Sequence, residues 1–248
     1  MSISERLTPD ILVFKNFLTK EESSAIIKVL EAQVANEKLS WTPITFYESY
    51  SSVLPQDGDE ELEQFGLPSD FFSVLQNRII DAVAEVHGNS SFDIHKIGFH
   101  AQKWEPGAYA KEHSDNTDLQ GNTGPFERSR YAAFLYLNDE FEGGQLIFNK
   151  QNHTLVPETG TLAAFAGGFD NTHEVTMITS GIRYTLGSFW DDRSPESYPQ
   201  ETIDAWDAEM KKIREEQEVI KSEWQDALKE GYRIDLDGNK YKIEENDK

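Results

Sequence analysis

The sequence predicts a mainly β fold with flanking helices, its core a sandwich or barrel of jelly-roll type over about residues 92–190. Three observations predict it. From Phe92 to Trp190, the runs "FDIHKIGFHAQKW", "RYAAFLYLND", "GGQLIF", "HTLV", "GTLAAFAG", "HEVTMI" and "RYTLGSFW" follow at short intervals, alternating or continuously apolar. Segments such as "FEGG", "VPETG" and "ITSG" separate them, where glycine and proline suit the chain to reversal. On either side of this region the apolar spacing lengthens to three or four, which is the period of a helix.

Each element follows from local signals. "ILVF" at residues 11–14 reads as a short strand feeding a helix, with Thr19 as N-cap and Glu22 completing a capping box. Residues 40–68, rich in Ser, Pro, Gly and acid, read as a long loop and a candidate lid over a peptide groove. Asp70 opens a second amphipathic helix, "FFSVLQNRIIDAVAEVHG", which stops at Gly88; residues 10–90 thus form a helical support for the sheet. After Pro195 and Pro199 comes another helix, carrying Ile203, Trp206, Met210, Ile213, Ile220 and Trp224 at a spacing interrupted by Gln217. That stripe packs either on its own fold or, through residues 203–228, on a second copy as a homodimer. The tail reads as a hairpin about Asp237 and Gly238; its "DLDGN" lacks the further acids of a calcium loop.

Composition removes whole classes of function. A net charge of −22 argues against a nucleic-acid or anionic-membrane binder, because phosphate neutralisation needs clustered Lys and Arg. With no cysteine, there is no disulfide, thiolate metal site or cysteine nucleophile, so any metal must be held by His, Asp and Glu. The beginning "MSISERLTPD" lacks the apolar stretch of a signal peptide and no 18-residue apolar run occurs, which sets a cytoplasmic expectation.

"KEHSDN" places His113 and Asp115 two positions apart. On extended chain, such residues project to one face about 6.6 Å apart and can converge on one cation. Two histidines plus a carboxylate form the facial ligand set of non-haem Fe(II) oxygenases, and His173, at the start of a later strand, supplies the second histidine. Arg183, ten residues on, stands in an apolar strand, where a guanidinium needs a carboxylate partner that a ligand can provide. Thr185 shares its face and can add a hydroxyl. His95, His100 and His153 lack a paired carboxylate at this offset and read as structural. A zinc hydrolase would accept the same ligands, but no H-E-x-x-H or evident general base accompanies them.

The run from Trp104 to Trp190 resembles the catalytic domain of Fe(II)/2-oxoglutarate-dependent dioxygenases of the prolyl hydroxylase type, nearer the prolyl 3-hydroxylase-like and bacterial or viral members than the collagen 4-hydroxylases. "WEPGAYAKEHSDN", "RYAAFLYLNDEFEGGQLIF", "VPETGTLAAFAGG" and "HEVTMITSGIRYTLGSFW" carry the likeness in order and spacing. It implies a double-stranded β-helix, a dioxygenase domain over 1–200 with a C-terminal helix and hairpin extension over 201–248, and iron ligation by His113, Asp115 and His173. It further implies 2-oxoglutarate anchored by Arg183, O2 as co-substrate, ascorbate as reductant, and a peptidyl proline as substrate. Departures are visible. Ala110 stands where many relatives have tyrosine three residues before the first ligand, and Ala132 stands where a threonine often assists the cosubstrate. Arg183 stands where collagen-type enzymes carry lysine, so Tyr131 or Thr185 is expected to rebuild the carboxylate contacts. The alternatives are the same chemistry on a free amino acid or other small molecule, or a jelly-roll binding module that has lost catalysis.

Overall fold

The computed structural model describes residues 5–44, 47, 49–88, 90–235 and 238–242. Two antiparallel sheets face each other. The larger has eight strands in the order Glu5–Thr8, Ile11–Phe14, Leu162–Ala166, Tyr131–Tyr136, Arg183–Asp191, His95–Trp104, Ser49–Ser52 and Thr42–Ile44. The smaller has His153–Leu155, Leu146–Phe148, His173–Val175 and Ala110–His113. This is the jelly roll that the sequence predicts, with helices on the outer face of the larger sheet.

Alternation along the central strands decides which residues meet which layer. Tyr131, Ala133, Leu135, Leu186 and Trp190 join a core with helices α1 (Lys20–Ala35) and α3 (Phe71–His87). Their neighbours Ala132, Tyr136, Ala163 and Phe165 join a second core, closed by Leu146, Phe148 and Val175 of the smaller sheet. Because both faces are buried, the strands read as nearly continuous apolar runs. Ile26, Val29 and Leu30 of α1 are fully buried at the three-to-four spacing, each contributing roughly 1.5–3 kcal/mol.

The caps follow the local rules. Glu22 N donates to Thr19 Oγ1 at 3.0 Å and Thr19 N donates to Glu22 Oε2 at 2.8 Å, closing the expected capping box. Asp70 precedes α3 but makes no side-chain cap; Phe72 N and Ser73 N instead donate to Asp57, at 3.0 and 3.2 Å. Gly88 ends α3 in the left-handed conformation.

The segment 40–68 is more ordered than its composition suggests. It supplies the last two strands at one end of the larger sheet, of which Thr42–Ile44 is the edge, and a short helix, α2 (Glu60–Gln64); Thr45, Phe46 and Glu48 lie outside the described residues. Pro43 is tolerated because its strand is outermost and needs one ladder of hydrogen bonds only. After the barrel, α4 (Gln200–Lys229) is continuous, and its aromatic residues pack on the fold itself: Trp206 on Tyr198 at 5.1 Å and Trp224 on Tyr50 at 5.6 Å between ring centroids. Tyr232–Ile234 pairs with Lys240–Lys242 as the tail hairpin; Asp237 of its expected turn lies outside the described residues.

Candidate active site

His113 ends one strand of the smaller sheet and His173 begins its neighbour; antiparallel register sets them directly opposite. Their rings lie 4.4 Å apart. Asp115 follows the first strand, where its backbone N–H donates to Gly167 O at 2.8 Å. Its Oδ1 lies 3.9 Å from His113 Nε2 and 3.8 Å from His173 Nε2. One ligand atom from each of the three falls within 4.8 Å of the others. Gly167 makes this approach feasible, since a Cβ there would sit 2.6 Å from Ser129 O and 2.9 Å from Asp115 Cβ.

Backbone carbonyls set the tautomers. His113 Nδ1 donates to Lys111 O at 2.7 Å and His173 Nδ1 to Asn171 O at 3.0 Å, because a carbonyl can only accept. Each Nε2 is then an unprotonated lone pair aimed at the common point, which is how a metal-ligating imidazole is prepared. Burial holds both imidazoles neutral: their pKa values are pushed down to about 4, for His113 with a further push from His173. Burial also pushes Asp115 up to about 6, with His113 opposing. A carboxylate with a buried, unpartnered Oδ2 fits a missing cation.

Beside this cluster lies Arg183, 2% exposed, its guanidinium 4.8 Å from the Trp104 ring and 5.2 Å from the Tyr136 ring. Among the described residues its Nε and Nη1 find no acceptor. Burial lowers the Arg183 pKa from its ordinary value, with the neighbouring Tyr136 hydroxyl opposing. A buried cation with N–H groups to spare and, among the described residues, no carboxylate beside it suits an anionic guest. Gly144 gives the arginine its room; a Cβ there would come 2.9 Å from Arg183 Cδ.

The pocket wall corrects the expected cosubstrate contacts. Tyr131 faces the helices and donates to Asp192 Oδ2 at 2.8 Å; five residues along the strand, Tyr136 takes the opposite face and meets Arg183. Thr185 does share the face of Arg183, but its hydroxyl donates to Gln102 Oε1 at 3.0 Å. Trp104 Nε1 donates to the same oxygen at 3.4 Å, so Gln102 presents its NH2 end elsewhere, with Nε2 3.2 Å from His100 Nε2. Gln102, Tyr136 and Tyr47 line the pocket and escaped the sequence reading. A polar residue two before Trp104 on an alternating strand was the available signal for Gln102. Nothing local marked Tyr47, whose ring sits 5.8 Å from that of His113 and 5.3 Å from that of Trp104. It narrows the pocket to about 20 Å³, room for roughly one water. Phe148 and Phe165 pack against His173, while Leu135 and Trp190 belong to the helix-facing core. Asn138 clamps the start of the Arg183 strand, donating to Ile182 O and accepting from Tyr184 N.

Residues 99–191 match the family model of the 2OG-Fe(II) oxygenase superfamily. Prolyl 3-hydroxylase 3 of Homo sapiens is 38% identical over 105 residues, covering 38% of this chain and 14% of that protein. Prolyl 3-hydroxylase 2 of Homo sapiens is 40% identical over 58 residues, covering 21% of this chain and 8% of that protein. The chain therefore spans a small part of the length of these curated relatives. Among solved structures, a Pseudomonas putida prolyl-4-hydroxylase superposes with a TM-score of 0.54 at 19% identity, over 75% of this chain and 94% of that one. A prolyl hydroxylase from Trichoplax adhaerens, in complex with a hypoxia inducible factor oxygen degradation domain peptide fragment, gives 0.53 at 19% identity, over 75% and 84%. These two establish the shared fold.

Proposed function

We propose, from the premise that residues 99–191 are a 2OG-Fe(II) oxygenase domain similar in sequence to prolyl hydroxylases, that this protein hydroxylates a peptidyl proline. The observation that carries the reading is the juxtaposition of His113, Asp115 and His173 with a buried, anion-seeking Arg183 in adjoining space. His113 Nε2, His173 Nε2 and the Asp115 carboxylate would hold Fe(II); Arg183, with the Tyr136 hydroxyl, would hold the distal carboxylate of 2-oxoglutarate. When bound, the iron supplies oxidation by O2, which decarboxylates 2-oxoglutarate to succinate and CO2 and places one oxygen atom on the substrate.

The chain's own residues do the rest. Lys111 O and Asn171 O keep the imidazoles turned toward the metal position. Trp104, Phe134 and Leu146 keep the pocket dry, which strengthens every charge contact inside it. A five-carbon diacid needs more room than this pocket offers, so its wall must open; Tyr47 is the wall residue that comes from the segment 40–68, expected as a lid over the peptide groove. The reading also takes in residues 1–200 as the catalytic unit, ascorbate as reductant, a cytoplasmic setting, and self-association through the exposed Val219 and Ile220 of α4. No helix among the described residues is long and apolar enough to cross a membrane.

The test is aerobic incubation with Fe(II), 2-oxoglutarate, ascorbate and a panel of proline-bearing peptides, read by mass spectrometry with fragmentation. A one-oxygen gain located on proline is the expected result. Consumption of 2-oxoglutarate with free amino acids but with no peptide would replace the substrate, and no consumption at all would leave a binding module.

A further inference from the structure

On the open side of Asp115 lies a second space of about 310 Å³. One wall is the loop 114–126; the other is α4, which lies beyond the matched residues and contributes Glu209 and Ile213. Helix α4 is pinned at two places, Trp206 on Tyr198 and Trp224 on Tyr50. The span between them is about 27 Å at 1.5 Å per residue. Within that span Glu209 and Ile213 face the loop 114–126 across the second space.

The walls have a definite chemistry. Ile213, Pro125 and the exposed Phe126 offer apolar contact. Asn116 Oδ1 is buried with no donor among the described residues, and a peptide N–H would satisfy it. The charged groups are Asp115, already placed in the candidate metal cluster, Asp118 and Glu209. Asp118 is occupied in shaping its loop, accepting from Gln120 N, Asn122 N and Asn122 Nδ2 at 2.7–2.8 Å. Glu209 is exposed and forms no ion pair among the described residues.

We propose that this cleft takes the substrate as an extended peptide bearing lysine or arginine close to the target proline, with the cation facing Glu209 and the apolar portion against Ile213 and Phe126. The inference rests on the prolyl hydroxylation reading and names its substrate class. The net charge of −22 draws such a peptide in and turns acidic ones away.

The test is anaerobic binding of fluorescein-labelled proline peptides to the full chain loaded with Fe(II) and 2-oxoglutarate. Lysine, alanine or glutamate is walked through the flanking positions. Lysine peptides are expected to bind about fivefold tighter than glutamate peptides at about 0.1 M salt, with the preference fading near 1 M. Glu209→Lys reverses the order and Glu209→Gln abolishes it; both changes are on an exposed helix face that tolerates them. Equal binding of all peptides, or a lysine preference that survives in Glu209→Lys, overturns the proposal. A lysine preference that follows residue 209 in peptides never hydroxylated under air supports the cleft and removes the prolyl reading, so the two fail separately.

Discussion

The strand Arg183–Asp191 has two faces with opposite habits. Toward the helices it shows Tyr184, Leu186 and Trp190, whose polar atoms are all engaged: Tyr184 Oη donates to Glu31 at 2.8 Å and Trp190 Nε1 to Ser188 Oγ at 2.9 Å. Toward the smaller sheet it shows Arg183 and Thr185; the Thr185 hydroxyl is engaged by Gln102, while Nε and Nη1 of the buried guanidinium find no acceptor among the described residues. The first face is finished by the chain itself. The second waits for guests, and the difference teaches that stability and function have been assigned to alternate residues of one strand.

That division can be broken at either face. Trp190→Ala should cost about 3–5 kcal/mol by denaturant unfolding, through a large cavity against α1 and α3. Arg183→Leu should do the reverse: unchanged or improved stability, because an unpaired buried charge is removed, with 2-oxoglutarate affinity reduced about 10–100-fold by calorimetry. A stability loss as large as that of Trp190→Ala would show that both faces serve the fold alike.

Acid distinguishes the faces without mutation. His100, His113 and His173, all toward the interior, have pKa values lowered to about 4 by burial. Unfolded, they bind protons near 6.5, so the stability they contribute is complete above that pH and is lost as pH falls toward 4. Asp115, raised to about 6, runs the other way and offsets one of the three. The metal-free protein should therefore lose stability between about pH 6.5 and 4, followed by thermal unfolding across a pH series. The smallest effect is expected from Thr185→Val, which removes a donor from Gln102 and a hydroxyl from the pocket face that Thr185 shares with Arg183. About a fivefold weakening of 2-oxoglutarate, worth roughly 1 kcal/mol, should appear with kcat nearly unchanged.

Much of the candidate site was legible because its signals are local. His113 and Asp115 need only an extended segment, and His173 with Arg183 needs only a strand beginning and its sequel. Tyr131 misled for a physical reason. In a strand buried on both sides, apolar residues occupy every position, and nothing in "RYAAFLYLND" reveals which parity faces the metal. The two strands in 40–68 were hidden because "TPI" and "SYSS" are three and four residues long and carry no apolar run. Tyr47 and Glu209 reach the site from distant parts of the chain, and only the closed fold brings them there.

Tyr50 carries the far anchor of α4, and Tyr47 stands three residues before it. Tyr50 packs on Trp224, and Tyr47 packs beside His113. A nick near the solvent-facing Val219 and Ile220 would loosen the Trp224 contact. Such a cut is expected to quicken the departure of a small acid from the barrel, which stopped-flow dissociation of 2-oxoglutarate would read.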